Sequence, residues 1–482
     1  MNRPRVVILG SQERQLREYL DFHPDSHERA AAVLFRRFHR QHGSLPESDR
    51  YIAIEVIPFK DQWITGSSPS HVAFELKYLR ALFRRCEDES LVFGFVHNHP
   101  GGYQVFSETD EHNERTLLDA LCHRNGRNIH LVALLWSNGE WKARIRQGPN
   151  PVDHVDVRHI AVLDNPVRIY SSARSSSLTS DVMARQMAAF GQPFTEKLQS
   201  LRVAVVGSGG TGSATVALLA RAGVGELVII DNDDLERSNL NRVRGAGLDD
   251  VGKNKAKVLK AFVERLKLPT VVEAHDTLID QNPEAIDALS SCDLVFGCTD
   301  DQIGREIMNT SVYTYAQAFI DLGLGGGVSR DGSGEPYLKY HYGRISTILP
   351  EWGECLFCQG IISDEGIRRE YALRENPNLT EIEAAERYLT GGGEQAPGVG
   401  PFTGAVADYG VATLFDLIRP FRRFPPEIRR DFFKIDFVKM ELSSNQRKNN
   451  QECVYCGTRD YLLSPERYRL NRPALGKRDI AI

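Results

Sequence analysis

The sequence has no long apolar run and no strong excess of charge of one sign. No apolar run in its 482 residues approaches the roughly 18 residues that span a bilayer. The opening MNRPRVVILGSQER contains an apolar stretch too short for a secretory signal. The net charge of −5 gives no reason to expect a nucleic-acid partner. From these absences we expect a cytoplasmic protein that has neither a membrane nor a nucleic acid as its partner.

Cysteine is scarce, since eight residues in so long a chain do not make a disulfide framework. Four of them form two C-x-x-C pairs, ECLFC and ECVYC, which contribute Cys355, Cys358, Cys453 and Cys456. In a reducing compartment such pairs are typical metal ligands, and four thiolates form a closed tetrahedral zinc site. We therefore predict a structural zinc ion that fixes the C-terminal segment to its domain.

What the sequence does contain is two stretches in which apolar strands alternate with helical segments. The length favours two or three domains. Residues 1–150 include YIAIEVIPF, LVFGFVHNHP and IHLVALLW, residues 151–180 lose the pattern and include SSARSSSLTSD, and LRVAVVG and ELVIID follow after 181. We predict an α/β protein with an N-terminal α/β domain over 1–150, a linker over 151–180, and a Rossmann-like, doubly wound domain over 181–482.

One apolar strand of the first domain ends in HNHPGGYQVFSETD, which carries a candidate metal site. Side chains alternate along a strand, so His97 and His99 point to the same side. Asp110 can return as a third ligand from the next helix, which predicts a catalytic zinc site with an open position. Ser107 is placed to donate to an oxyanion, although with Asp110 it also forms a helix capping box. The base for the attacking water must come from elsewhere in the chain.

With its serine included, this stretch has the form H-x-H-P-x6-S-x-x-D and resembles the motif of the JAMM (JAB/MPN) metalloproteases. The resemblance implies a JAB/MPN-type fold over 1–150 and a zinc-dependent peptidase or isopeptidase. In that family a glutamate near the start of the first strand acts as general base. The segment HPDSHERAAAVLFRR resembles that region and assigns the role to Glu28, with Glu55 in AIEVIPF as the alternative.

A second motif, VGSGGTGS, follows the strand LRVAVV in the second domain. Gly207, Gly209 and Gly212 have G-x-G-x-x-G spacing, which lets the backbone approach phosphates at the N-terminus of the next helix. Asp231 ends the next strand, where an acid binds ribose hydroxyls. This much would also fit a dinucleotide-binding oxidoreductase.

The residues that follow favour phosphate chemistry, because SNLNR, DVGKNKA and CDLVFGCTDD supply an amide, two cations and an aspartate. The combination resembles the ThiF/MoeB and ubiquitin-activating adenylating family. The resemblance implies that Mg²⁺ is bound by Asp300 and that Arg185 reaches the γ-phosphate of the other subunit's ATP in a homodimer. It implies further that ATP is bound by Gly207, Gly209, Gly210, Gly212, Asp231, Asp233, Asn239, Arg242 and Lys255, with Arg242, Lys255 and Asp300 also acting in catalysis.

In that family a crossover segment, here residues 359–398, passes over the active site and often carries a cysteine that accepts the activated carbonyl. Residues 359–452 contain no cysteine in this sequence. Cys86 and Cys122 lie in the first domain, while Cys292 and Cys298 flank the strand DLVFG and are expected to be buried small apolar residues. We expect the activated tail to pass directly to a cysteine or sulfur donor on another protein.

Together the two resemblances imply a bifunctional enzyme of a prokaryotic ubiquitin-like modification pathway. One half would adenylate the C-terminal tail of a small β-grasp protein with ATP and Mg²⁺, and the other would process or remove that protein with zinc. The resemblance also implies a role in antiviral defence, with which systems that contain such fusions are often associated. The partner would be a conjugating enzyme, or a sulfur donor if the pathway activates a sulfur carrier instead. A scaffold without enzymatic activity is a third interpretation, which the complete motifs disfavour.

Overall fold

The computed structural model describes residues 3–40, 43–45, 48–148, 150–171, 181–375 and 398–464. The chain divides into two compact units, one formed by Met1–His42 with Pro46–Arg174 and one formed by Gly43–Leu45 with Ser175–Ile482. The helices that the structure describes include none with the length and apolar character to cross a bilayer.

The first unit is built on a mixed sheet in which nine described strands have the order β11-β10-β1-β3-β2-β6-β7-β8-β9. A separate antiparallel pair is formed by β4 and β5. The strands are β1 (Arg5–Leu9), β2 (Ala30–Arg40), β3 (Ser48–Pro58), β4 (Ile64–Ser68), β5 (His71–Phe74), β6 (Val92–Asn98), β7 (His130–Ser137), β8 (Glu140–Gln147), β9 (Asn150–Asp156), β10 (His159–Leu163) and β11 (Arg168–Ser171). The helices are α1 (Gly10–Asp21), α2 (Arg80–Asp88) and α3 (Glu108–Asn125).

Apolar residues cover both faces of this sheet, since one buried cluster includes Val6, Val132 and Trp141 and the other includes Phe93, Leu117 and Leu131. Strand β6 pairs antiparallel with β2 and parallel with β7, so it lies inside the sheet. Its sequence VFGFVHN is accordingly apolar on both faces up to the two polar residues at its end.

The structure differs from the predicted linker over 151–180, because three strands of the first sheet occupy residues 150–171. Strand β9 pairs with β8, and β10 pairs in parallel with β1 over its whole length. The five residues of β10, HIAVL, are all buried. A five-residue strand is too short to show a clear period, so the sequence did not separate it from a connecting segment. The remainder of the predicted linker, 172–180, lies outside the described residues.

The second unit contains a sheet whose eight described strands have the order β14-β13-β12-β15-β16-β17-β18-β19. The strands are β12 (Arg202–Val206), β13 (Glu226–Ile230), β14 (Val271–His275), β15 (Leu294–Gly297), β16 (Ala318–Arg330), β17 (Pro336–Ile348), β18 (Phe432–Asp436) and β19 (Glu441–Ser443). The helices are α4 (Ala184–Phe190), α5 (Gln192–Ser200), α6 (Gly210–Arg221), α7 (Lys255–Arg265), α8 (Pro283–Ser290), α9 (Gln302–Thr314), α10 (Asp364–Glu375) and α11 (Gly400–Ile418).

The first five strands of that order run parallel, and the chain order reverses between β12 and β15. From β17 onward the pairings are antiparallel. A crevice opens at the carboxyl ends of parallel strands where the order reverses, and ligands of doubly wound folds bind there. The Rossmann-like fold predicted for this half of the chain is confirmed.

Candidate functional site

The first candidate site lies at the carboxyl end of β6, where His97 and His99 are placed by two neighbouring strands. His97 pairs with Ala30 of β2 and Leu135 of β7. The amide of His99 donates to the carbonyl of Trp136 at 3.0 Å, which extends the pairing with β7 by one residue beyond β6. Both imidazoles are buried, with 0% of His97 and 7% of His99 exposed. The backbone therefore fixes the two rings side by side.

The ligand atoms of this site have separations that suit one small metal ion. His97 Nε2 lies 3.2 Å from His99 Nε2 and 3.0 Å from Asp110 Oδ1. His99 Nε2 lies 3.3 Å from Asp110 Oδ2. Zinc bonds of about 2.0–2.1 Å in a tetrahedron separate the ligand atoms by about 3.3 Å. Two imidazoles and one carboxylate at these distances fit three ligands of a zinc ion.

Ser107 holds Asp110 in place by capping the helix that carries it. Its hydroxyl and its amide donate to Asp110 Oδ2 at 2.8 Å and 2.6 Å, and the Asp110 amide donates back to Ser107 Oγ at 3.2 Å. The capping box is thus formed, and the hydroxyl of Ser107 is directed at the carboxylate. Burial opposes ionisation of Asp110, but the hydrogen bonds from His97 and His99 outweigh it and hold its pKa well below the usual range.

Glu28 lies beside the histidines, just before β2. Its Oε1 is 3.7 Å from His99 Nε2, and the residue is only 2% exposed. Burial raises the pKa of Glu28 from 4.5 to about 7, although His97 and His99 act in the opposite direction. Glu55, the alternative base, lies on β3 with a 43% exposed side chain and forms an ion pair with Arg85. Of the two glutamates, the structure brings Glu28 to the histidines.

The four cysteines of the C-x-x-C pairs form a second cluster of potential metal ligands. Cys355 Sγ lies 3.5 Å from Cys453 Sγ, and Cys358 Sγ lies 3.6 Å from Cys456 Sγ. Zinc–sulfur bonds of about 2.3 Å in a tetrahedron place sulfurs about 3.8 Å apart, which is close to these distances. The donor set and its spacing fit a closed structural zinc site.

Aromatic contacts surround the segment that carries the second cysteine pair. The ring of Tyr455 stacks on Phe357 at 5.3 Å, and its hydroxyl accepts from Thr310 Oγ1 at 3.3 Å. The amide of Leu463 donates to the carbonyl of Tyr313 at 2.9 Å. The C-terminal segment up to residue 464 is therefore held against α9 by hydrogen bonds and stacking as well as by the cysteine cluster.

The glycine-rich loop between β12 and α6 forms the base of the second candidate site. Gly207 has φ of +92°, which favours glycine, and a Cβ there would lie 2.7 Å from the backbone of Cys298. A Cβ on Gly212 would lie 1.8 Å from the carbonyl oxygen of Gly207. The first and last glycines are thus required for the turn and for the close approach of helix to loop. A Cβ on Gly209 would meet nothing within 4 Å, since that residue faces open space.

A cavity of about 960 Å³ lies against this loop, at the carboxyl ends of β12, β13 and β15. Most of the predicted nucleotide-binding residues line it, namely Gly207, Gly209, Gly210, Asp231, Asp233, Arg242, Lys255 and Asp300. Of the predicted residues in the described chain, Gly212, Asn239 and Arg185 do not line it. Asn239 instead caps a short 3-10 turn by accepting from the Glu236 amide at 3.2 Å, and Arg185 is exposed on α4.

The charged groups of this cavity already have partners, either backbone groups or other charged side chains. Asp231 accepts hydrogen bonds from the amides of Ser208 and Asp233, and burial raises its pKa in spite of them. Lys255 Nζ lies 2.8 Å from Asp233 Oδ2. Arg242 donates to the carbonyl of Ser238 at 2.9 Å. A bound nucleotide would have to replace some of these partners.

Four further charged residues of the cavity were not identified from the sequence: Asp301, Arg305, Glu370 and Arg374. Glu370 accepts from the amides of Gln302 and Ile303 at 2.7 Å and 3.0 Å, at the N-terminus of α9. Arg374 pairs with Asp280 at 2.8 Å and with Asp301 at 3.4 Å. These contacts join α10, the start of the predicted crossover segment, to the cavity.

The position of Arg305 could have been inferred, because it follows Asp300 by little more than one helical turn. Its Nε donates to Asp321 Oδ1 at 3.1 Å. The sequence carried no comparable signal for Glu370 and Arg374, which lie far along the chain on a charged helix. Residues 376–397, which make up the rest of the predicted crossover beyond α10, lie outside the described residues.

The remaining cysteines have the character expected of small apolar residues. Cys86 and Cys292 are buried, and Cys122 and Cys298 are half-buried. Cys298 lines the cavity, but burial raises the pKa of its thiol to about 12, and its Sγ lies 3.8 Å from Thr215 Oγ1. Because the thiolate is the reactive form, Cys298 is a poor nucleophile near neutral pH.

A glycine-rich loop at the switch point of a parallel sheet, with an acid after the second strand, defines this half of the chain as a nucleotide-binding α/β protein. The model of the ThiF family matches residues 183–455, more than half of the chain, and the chain belongs to that family.

Among curated proteins, the chain is similar to the SAMP-activating enzyme E1 of Haloferax volcanii, with 39% identity over 113 residues that make up 23% of this chain and 42% of that protein. It is also similar to the adenylyltransferase and sulfurtransferase UBA4 of Candida albicans, with 33% identity over 136 residues, 28% of this chain and 30% of that protein. The chain thus spans less than half the length of either relative. Among solved structures it is similar to E. coli MccB with MccA-N7isoASN, with a TM-score of 0.44 and 19% identity over 57% of this chain and 75% of that one.

Proposed function

We propose that the second unit adenylates the C-terminal carboxylate of a small protein, as an activating enzyme of a ubiquitin-like modifier or a sulfur carrier does. The observation that carries the proposal is the cavity of this ThiF-family chain, where a glycine-rich loop faces four cationic and five acidic side chains. The Haloferax relative is named a SAMP-activating enzyme E1, and the Candida relative is named an adenylyltransferase and sulfurtransferase.

In this reaction a carboxylate oxygen of the tail forms a bond to the α-phosphorus of ATP, and the bond from that phosphorus to the bridging oxygen breaks. Pyrophosphate leaves, and an acyl-adenylate remains. The loop amides near Gly209 hold the phosphates, Asp231 binds the ribose, and Arg242 and Lys255 neutralise developing charge. Asp300 would hold Mg²⁺, which supplies charge neutralisation on the phosphates. The chain mainly positions the reactants.

The test is ATP–pyrophosphate exchange measured with candidate β-grasp proteins that end in glycine. Exchange that depends on one tail and is lost in Asp300→Ala is the expected result. Exchange that is independent of any tail, or that persists in Asp300→Ala, would contradict the proposal. A conjugating enzyme that then accepts the tail would indicate a modification pathway, and a sulfur donor would indicate a sulfur carrier.

The route of transfer follows from the cysteines. The chain has no cysteine over 359–452, and the thiol of Cys298 beside the cavity is held protonated. We expect the adenylate to be passed directly to a thiol of another protein. On a non-reducing gel the thiol-sensitive adduct should form on the added partner. An adduct on this chain that disappears in Cys298→Ala or Cys292→Ala would show an internal relay instead.

Arg185 would complete the ATP site of the other subunit in a homodimer.

We propose a second activity for the first unit, zinc-dependent cleavage at the same kind of tail. The convergence of two imidazoles and one carboxylate, with the buried carboxyl of Glu28 3.7 Å from His99 Nε2, carries it. A zinc ion there would supply Lewis acidity and lower the pKa of a bound water. Glu28, within reach of that position, would accept a proton from the water and return it to the leaving amine. Ser107 keeps Asp110 in place, and its role as an oxyanion donor remains part of the proposal.

The test of the second activity is cleavage of a fusion between the cognate tail and a reporter peptide. Cleavage should disappear in His97→Ala and in a chelator, and zinc should restore the activity of the chelated enzyme. Cleavage by His97→Ala at the wild-type rate would contradict the proposal. Adenylation should continue in the same variant, since every described residue that lines the cavity belongs to the second unit.

A further inference from the structure

The first unit buries two arginines and one glutamate next to the candidate metal ligands, and a second, half-buried glutamate pairs with the same arginines. We propose that this ionic quartet, formed by Glu111, Glu114, Arg144 and Arg146, positions Asp110 and His97 for metal binding. The inference rests on the metal centre proposed above, and it assigns to these residues a positioning role rather than a catalytic one.

The quartet begins on the inner face of α3. The buried residues of that helix are Asp110, Glu114, Leu117, Leu118 and Leu121, which recur at the spacing of one helical face. The first two are carboxylates, and the leucines belong to an apolar cluster of the unit. One turn of the buried face therefore carries the metal ligand, and the next turn carries Glu114, which is 0% exposed.

The arginines come from β8, whose two faces differ. Trp141, Ala143 and Ile145 alternate on one face and belong to an apolar core cluster. Arg144 and Arg146 lie on the opposite face, yet they are only 4% and 0% exposed. An alternating strand of this kind would present its polar residues to water, so the burial of both arginines requires a partner that carries opposite charge.

The carboxylates of α3 satisfy both arginines. Glu114 Oε2 accepts from Arg146 Nε at 2.7 Å and from Arg144 Nε at 2.9 Å, and Glu114 Oε1 accepts from Arg144 Nη2 at 3.0 Å. Glu111 Oε2 accepts from Arg146 Nη2 at 2.6 Å, and Glu111 Oε1 accepts from Arg144 Nη1. Each arginine thus bridges two turns of the helix, and the charges of the four side chains cancel.

A second link runs from the quartet to His97. The guanidinium of Arg144 lies 4.0 Å from the centre of the Phe106 ring, and that ring lies 6.1 Å from the imidazole of His97. Phe106 also directly precedes Ser107, which caps α3. Arg144 therefore supports two of the three proposed ligands, Asp110 through the helix and His97 through Phe106.

This arrangement fixes the helix along its axis more strictly than apolar packing would. A shift by one residue moves a helix about 1.5 Å, whereas metal–ligand distances tolerate about 0.2 Å. A displaced α3 would break the ion pairs that Glu114 and Glu111 make with the two buried arginines, which is costly for buried charges. The quartet thus selects the one position of α3 at which Asp110 reaches both histidines.

The test measures zinc affinity of the full-length chain by competition with a chelator, with His97→Ala as the background for the cysteine site. Glu114→Gln should weaken zinc binding about 10- to 100-fold, which is typical for loss of a group that orients a ligand. Glu13→Gln is the matched control. Glu13 is also a fully buried carboxylate of this unit, but it lies on another helix, α1. Its Oε2 lies 3.0 Å from Arg168 Nη2. The control should lower the melting temperature but leave zinc affinity unchanged.

Arg144→Lys serves as a second variant if Glu114→Gln does not fold, because it keeps the charge and loses the planar fork that bridges Glu111 and Glu114. It should weaken zinc binding by a smaller factor. Wild-type affinity in the folded variants, or an equal loss in Glu13→Gln, would overturn the positioning role. If the wild type binds no more zinc than His97→Ala, the metal centre itself is disproved, and this inference falls with it.

Discussion

The candidate metal centre of the first unit and the nucleotide cavity of the second are organised differently. The ligands His97, His99 and Asp110 are buried and already lie at the distances that one ion requires. The cations of the cavity already have local partners, since Lys255 pairs with Asp233 and Arg242 donates to the carbonyl of Ser238. The metal centre is therefore preorganised, whereas a nucleotide must exchange partners as it binds. Single substitutions should have large effects in the first site and graded effects in the second.

The largest effect is expected for Glu28→Gln. A positioned general base contributes about 10²- to 10⁴-fold to a rate, so cleavage of a tail fusion should fall by that factor. Zinc should remain bound, because Glu28 is not one of the three proposed ligands, and metal analysis should show an unchanged content. Glu55→Gln is the matched control and should cleave normally, since Glu55 of β3 forms an ion pair with Arg85 of α2 and not with the histidines. Loss in the control with full activity in Glu28→Gln would assign the base to Glu55.

An intermediate effect is expected for Lys255→Ala. A hydrogen bond to a charged group contributes about 1.5–3 kcal/mol, which corresponds to about a 10- to 100-fold change in Kd for MgATP. Part of this free energy is offset, because Lys255 loses its ion pair with Asp233 when it contacts phosphate. Titration calorimetry measures the affinity without any tail protein. Lys257→Ala is the control, since Lys257 pairs with Asp276 and does not line the cavity in the described chain. Equal losses in both variants would exclude a specific contact from Lys255.

The smallest effect is expected for Arg374→Ala, in the cavity wall formed by α10. Its side chain is 27% exposed, and its charge is already balanced by Asp280 and Asp301. Partly exposed ion pairs contribute about 0.2–1 kcal/mol, so the Kd for MgATP should rise no more than about fivefold. Arg368→Ala is the control, since Arg368 is exposed on the same helix, and it should leave the Kd for MgATP unchanged. A loss of more than 50-fold in Arg374→Ala would give this residue a direct role with the phosphates.

The sequence predicted local motifs well and long-range placement poorly. Gly207 and Asp231 were identifiable because the loop and the acid lie within one strand–helix–strand unit. Strand β10 was assigned to a linker, because its pairing partner β1 lies more than 140 residues away and no local pattern encodes that pairing.

Three further cases show which contacts decide the role of a residue. Asn239 has the residue type of a nucleotide contact, yet its side chain is used to cap a turn. The sequence resemblance favoured Glu28 over Glu55 as the base, and the pairing of Ala30 with His97 brings Glu28 to the histidines. For Ser107 the sequence left two roles open, oxyanion donor and helix cap, and the structure contains the capping box. Tertiary contacts therefore select among roles that local sequence leaves open.

We propose that one chain carries a catalytic metal centre and a separate structural one, in two different units. Counting zinc ions per chain by elemental analysis tests it without knowledge of the tail protein. Two ions are expected in the wild type, one in His97→Ala and one in Cys453→Ser, with Cys292→Ser as a control that keeps both. A single ion in the wild type, or no loss of zinc in His97→Ala, would contradict the presence of two separate zinc centres.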